Sequence, residues 1–160
     1  MKALYCGALA VVVTTAVFTQ DQFAQKIVAD HDSGPEKLIG AWHLTRIEVP
    51  GPTGKPVDIP QPKGMLIYTR DGHVSVQLMY PESAKTLSNE YVLNGYEASF
   101  GSYDVDGIAR TVTHHVEGSV TGDSLVGKDL LRTFEFTADG HLIVRSVRSD
   151  EHWSVTWEHD

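Results

Sequence analysis

TFEFTADGHLIV, residues 133–144, places two apolar runs on either side of Ala138-Asp139-Gly140, and the length of that turn decides which side chains can share a core. A two-residue loop at Asp139-Gly140 pairs Ala138 with His141. Leu142 and Val144 then lie opposite Thr137 and Glu135, while Phe134 and Phe136 fall on the other face. A three-residue loop, with Gly140 in the left-handed region, pairs Thr137 with His141 instead. Phe134, Phe136, Leu142 and Val144 then share one face, with Arg132 among them. Register must keep one face buried, so the apolar pattern selects the three-residue loop.

The same local pattern, Thr-x-Asp-Gly-His, occurs in GMLIYTRDGHVSVQLMY, residues 64–80. Here the two-residue register also gives an apolar face (Met65, Ile67, Val74, Val76), so the matching turn carries the choice. Thr69 then pairs with His73, and Leu66, Tyr68, Val74, Val76 and Leu78 point inward. Parity also sorts ARTVTHHVEGSV, residues 109–120. Successive strand side chains alternate between faces. Val112, His114, Val116 and Val120 fall inside; Thr111, Thr113, Ser119 and a solvated pair, His115 and Glu117, fall outside. Tyr68, His114 and Arg132 become the polar groups of an otherwise apolar inner wall.

The rest of the chain fits many short strands. LIGAWHLTRIEV, residues 38–49, is strand-like, and HWSVTWEH, residues 152–159, closes the chain. Between the first strand and the first hairpin, PGPTGKPVDIPQP holds five of the seven prolines. Proline removes ladder donors, so this reads as a long irregular connection and not a strand. A loop of that length in a compact domain is often functional, for example as a lid. Residues 88–100 read as a short α-helix, with Ser88 as cap and Val92, Tyr96 and Phe100 at i+4 spacing; Gly95 argues against it. Asp104 and Asp106 read as turn residues. Seven or eight strands, one helix and no second domain predict an all-β antiparallel barrel or sandwich.

Charge and composition narrow the function classes. The net charge is -8, which excludes the basic footprint of a general nucleic-acid binder. It also opposes docking on an anionic membrane. Met1-Lys2 precedes an uncharged apolar run to Phe18, too short for a comfortable transmembrane helix. Residues 1–24 therefore read as a secretory signal peptide, 25–36 as a polar tether, and 37–160 as the domain. An uncleaved N-terminal anchor is the other reading of the same segment. The expected location is extracytoplasmic, periplasmic or secreted, with no stable membrane insertion after cleavage. The single cysteine, Cys6, lies in the leader, so a cleaved chain has no disulfide.

Gly40-Ala41-Trp42, PKGMLIYTRDGHVSVQLM, SFGSYDVD, TVTHHVEGS and the closing VTWE together resemble the lipocalin-like domain family of bacterial and fungal proteins. The resemblance covers residues 37–158. Many members carry proline where this chain has Arg70, which suits a type I turn. It implies a closed antiparallel barrel of about eight strands with room for one small ligand. It transfers no catalytic motif, so no catalytic residue is assigned. Some members accompany secondary-metabolite pathways, which keeps a cofactor-free isomerase or cyclase open.

Five residues are the candidates for ligand binding: Tyr68, His114, Arg132, Phe134 and Trp42. Each has a structural reading beside the functional one. Trp42 closes the barrel floor or touches ligand. Arg132 stacks over Trp42 or Trp157, forms a salt bridge at the barrel end, or anchors a ligand carboxylate or carbonyl. His114 is a satisfied core histidine or a hydrogen-bonding and acid–base group. Tyr68 is a core tyrosine or a hydroxyl donor in the same space. No cofactor is expected. His115 and Glu117 make at most half a metal site, and no metal is expected either. The expected ligand is a small apolar molecule with a polar end. A filled barrel serving a structural or stress-related role in the envelope is the remaining alternative.

Overall fold

The computed structural model of the chain describes residues 34–51, 53–81 and 89–160. The expected signal peptide, most of the tether, and Ser88 lie outside the described residues. Pro35–Leu38 forms a single 3-10 turn. Nine strands follow among the described residues: β1 (Gly40–Pro50), β2 (Pro56–Asp58), β3 (Lys63–Tyr68), β4 (His73–Met79), β5 (Tyr96–Asp106), β6 (Thr111–Ser119), β7 (Asp129–Phe136), β8 (Leu142–Ser146) and β9 (Ser154–His159). All neighbours are antiparallel, and β1 pairs with both β3 and β9. Eight strands therefore close a barrel, and β2 is an extra strand held only by β1.

Both diagnostic turns take the three-residue form. Phe136 pairs with Leu142, the Thr137 N–H donates to the His141 carbonyl at 2.9 Å, and Gly140 has φ +90°. Tyr68 pairs with Val74, and the Thr69 N–H donates to the His73 carbonyl at 2.9 Å. In each turn the threonine hydroxyl accepts from the N–H of the histidine four residues later. Leu66, Tyr68, Val74, Leu78, Phe134, Leu142 and Val144 are buried together in one core, as the register requires. Gly140→Val forces a β-branched residue into the left-handed region. It should cost roughly 1–2 kcal/mol in urea unfolding, against about 0.5 kcal/mol or less for exposed Ala138→Val.

Three expectations are corrected. The proline-rich connection does contain a strand, because Pro50 faces Pro56 between the bonded pairs Gly51–Lys55 and Ile47–Ile59. Neither proline sits where the ladder needs its N–H. The helix over residues 88–100 is not formed. Asn89 Oδ1 accepts from the Tyr91 and Val92 N–H groups, and Asn94-Gly95, both at positive φ, turn Leu93 back onto Tyr96. Asn-Gly is the favoured pair for a two-residue hairpin turn, and from Tyr96 the chain is already β5. Finally, Val120 is 80% exposed. A bulge opposite Phe100/Gly101 inserts Glu117 between Val116 and Gly118, and inward parity passes to Ser119.

Candidate functional site

The barrel has a sealed end and an open end. At the sealed end Trp42 donates its indole N–H to the Leu38 carbonyl at 2.8 Å. Its ring stands edge-on to His159 at 4.6 Å and lies 6.0 Å from Phe136. Phe134 packs on Phe136 just above. Trp42 and Phe134 thus belong to the floor, and neither lines the cavity.

A cavity of about 140 Å³ opens toward the other end. Cavities of about 150 Å³ hold a benzene-sized molecule. Aliphatic side chains make most of the wall, among them Ile47, Leu66, Val76, Leu78 and Val144. His114, Glu97, Arg132 and the indole of Trp157 supply its polar features. The Trp157 N–H is buried with no hydrogen-bond partner among the described residues. Tyr91 and Trp153 line the mouth.

Arg132 comes from the middle of β7, opposite Ser146 and Val112, and is 5% exposed. Its guanidinium carbon lies 4.9 Å from the Trp153 ring centroid and 5.2 Å from that of Tyr91. The expected stacking exists, but on these two rings rather than on Trp42 or Trp157. Arg132 Nη1 also donates to the Leu131 carbonyl at 3.2 Å. Among the described residues it forms no ion pair. A buried cation is costly to leave without an anionic partner, and one carbonyl and two aromatic rings supply only part of what water gave it.

The two rings are themselves fixed. The Tyr91 hydroxyl donates to one oxygen of Glu151 at 2.7 Å, and the Trp153 N–H donates to the other at 3.3 Å. Arg148 joins Glu151 at 3.3 Å to Glu90 at 2.8 Å and Asp150 at 3.0 Å. Each surface pair contributes little alone, but the network ties residues 89–92 to residues 148–153 across the mouth. Burial would raise the Glu151 carboxyl, but hydrogen bonds from Ser146 and Tyr91 and the charges of Arg132 and Arg148 outweigh it and hold it low.

His114 and Tyr68 form a second polar unit. The Tyr68 hydroxyl and His114 Nε2 are 2.7 Å apart. Burial, reinforced by Arg132 and His115, pushes His114 down to about 3, so its ring is neutral. Burial likewise pushes Tyr68 far up and keeps its hydroxyl protonated. His114 lines the cavity while Tyr68 sits behind it, beside Tyr103. The two adjacent histidines of β6 therefore differ in kind. His115, outside, lies between Asp129 at 2.7 Å and Asp104 at 3.1 Å, not against Glu117. Asp104 is thus a strand residue on β5, whereas Asp106 does cap a turn, accepting from the Ile108 and Ala109 N–H groups.

Hydrogen bonds that the His115 ring donates to Asp129 and Asp104 raise His115. An NMR titration should show His115 titrating above 6.5 while His114 stays neutral throughout the range in which the protein is folded. The sign for stability follows: what His115 contributes is full below its unfolded value and lost as pH rises through its folded one.

Glu97, Tyr91 and Trp153 were not among the expected site residues. The helical reading hid the first two. The Asn94-Gly95 pair was the signal that could have placed them, since it turns Glu97 into the second residue of a strand, paired with Leu78. Glu97 is half-buried, and burial, partly offset by Arg132, raises its carboxyl to about 7. Among the described residues no three or more His, Cys, Asp or Glu side chains are grouped to hold a metal ion.

No curated protein matches the sequence. The model of the lipocalin-like domain family matches residues 39–159, from the residue after the 3-10 turn to the last residue of β9. Barrels of this kind take small molecules in their interior in general. The floor, the closed eight-stranded wall and the cavity all lie within that match, and the chain belongs to the lipocalin-like domain family.

Proposed function

We propose that this protein is an exported carrier that holds a small, largely apolar molecule in the barrel, with the molecule's polar end on Arg132. The observation that carries the reading is a buried guanidinium at a cavity wall, in contact with two aromatic rings and without an ion-pair partner among the described residues. Aliphatic walls would supply most of the affinity and the guanidinium would orient the ligand. Export rests on the basic start and apolar run of residues 1–18. Acid–base catalysis by His114 and Tyr68 gains less support. Tyr68 is behind the cavity wall, and a histidine depressed to about 3 is a weak base.

Native mass spectrometry of the protein purified from its own host tests the carrier reading. A discrete small-molecule adduct, released on denaturation, is expected. Protein at bare chain mass under gentle conditions would favour a filled structural barrel instead.

A further inference from the structure

Among the described residues, the cavity wall carries one buried cation, Arg132, and one carboxylate, Glu97, and the two form no ion pair. Glu97 projects inward from β5 and has no hydrogen bond or ion pair among the described residues. It senses Arg132 only through space. Burying a second negative charge beside a single cation is strongly unfavourable. The two anions, Glu97's and a ligand's, therefore compete for the same positive field.

Building on the carrier reading, we infer that the ligand is a small monocarboxylic acid bound as its anion on Arg132, and that Glu97 takes up a proton when it binds. The carboxylate of the ligand accepts hydrogen bonds from the guanidinium. Glu97 then becomes a neutral carboxyl group, and the cavity keeps one positive and one negative charge before and after binding. The one bond formed is the O–H of Glu97, and its proton is given up by the buffered solvent, whose conjugate base carries the charge away.

The other groups around Glu97 do not displace it from this role. Tyr80 follows β4 and is held protonated by burial and by Glu97 itself. His114 on β6 is neutral. Tyr91 and Asn89 are uncharged, and Glu151 at the mouth is committed to Tyr91 and Trp153. Lys63 on β3 shares with Glu97 only a groove on the outer wall. Among the described residues, Arg132 on β7 is the one cation facing the cavity. Glu97, raised to about 7, is therefore the group able to exchange a proton near neutrality.

Benzoate and benzyl alcohol are the probes, one anionic and one neutral, both near the cavity's size. Titration calorimetry in buffers of different ionisation enthalpy, at about pH 8, should show nearly one proton taken up per benzoate. Benzyl alcohol should bind with none. Glu97→Gln should abolish the uptake and bind benzoate about tenfold tighter at about pH 8, the difference vanishing at about pH 6. Benzoate binding without proton uptake, or uptake that persists in a folded Glu97→Gln protein, overturns the inference. Binding of benzyl alcohol alone overturns the acid preference and leaves the carrier reading standing. Binding of neither probe counts against both.

Discussion

Arg132→Ala should weaken the bound ligand roughly 10- to 150-fold, the range set by about 1.5–3 kcal/mol for a hydrogen bond to a charged group. The fold should survive the change. Two effects on stability oppose each other: the variant loses cation–π contacts worth about 0.5–2 kcal/mol each and sheds a buried cation that lacked an ion pair. The core around Trp42, Phe134 and Leu142 is at the other end of the barrel. Ligand affinity and thermal unfolding should therefore respond separately. Arg132→Lys should fall between the two, because an ammonium keeps the charge near the Tyr91 and Trp153 rings but cannot present two parallel donors. Unchanged affinity in a folded Arg132→Ala protein would remove the anchor.

Trp42→Ala should have the larger effect on stability. Removing a buried tryptophan costs about 3–5 kcal/mol, and here it also strands the Leu38 carbonyl and leaves His159 without its aromatic partner. For a domain of this size the melting temperature should fall on the order of 10–25 °C. Trp42→Phe should restore part of that loss and keep ligand affinity, since Trp42 does not line the cavity. A stable Trp42→Phe protein with lost affinity would put Trp42 in the binding site after all.

The two Thr-x-Asp-Gly-His turns made most of the barrel legible. Each turn fixes register by local hydrogen bonds, so parity along β3, β4, β7 and β8 could be read from residue identities alone. That parity also placed Tyr68, His114 and Arg132 inward. Two local devices escaped it. Val92, Tyr96 and Phe100 mimic a helical stripe while Asn94-Gly95 folds the chain back, and a single inserted residue at Glu117 flips Val120 outward. The mouth of the cavity was not legible for a different reason. Tyr91 and Trp153 meet over Arg132 only because segments about sixty residues apart are tied through Glu151, and no spacing rule reports such a contact. The partners of His115 were hidden in the same way, since Asp104 and Asp129 come from the strands on either side.

The claim that Arg132 receives the polar end of a bound molecule is tested most directly by a crystal structure of the protein purified from its own host. The expected result is density for a small molecule between Val76, Val144 and Trp153, with an acceptor atom within hydrogen-bond distance of the Arg132 guanidinium. A cavity filled by water alone, or a ligand whose polar group turns away from Arg132, would contradict it.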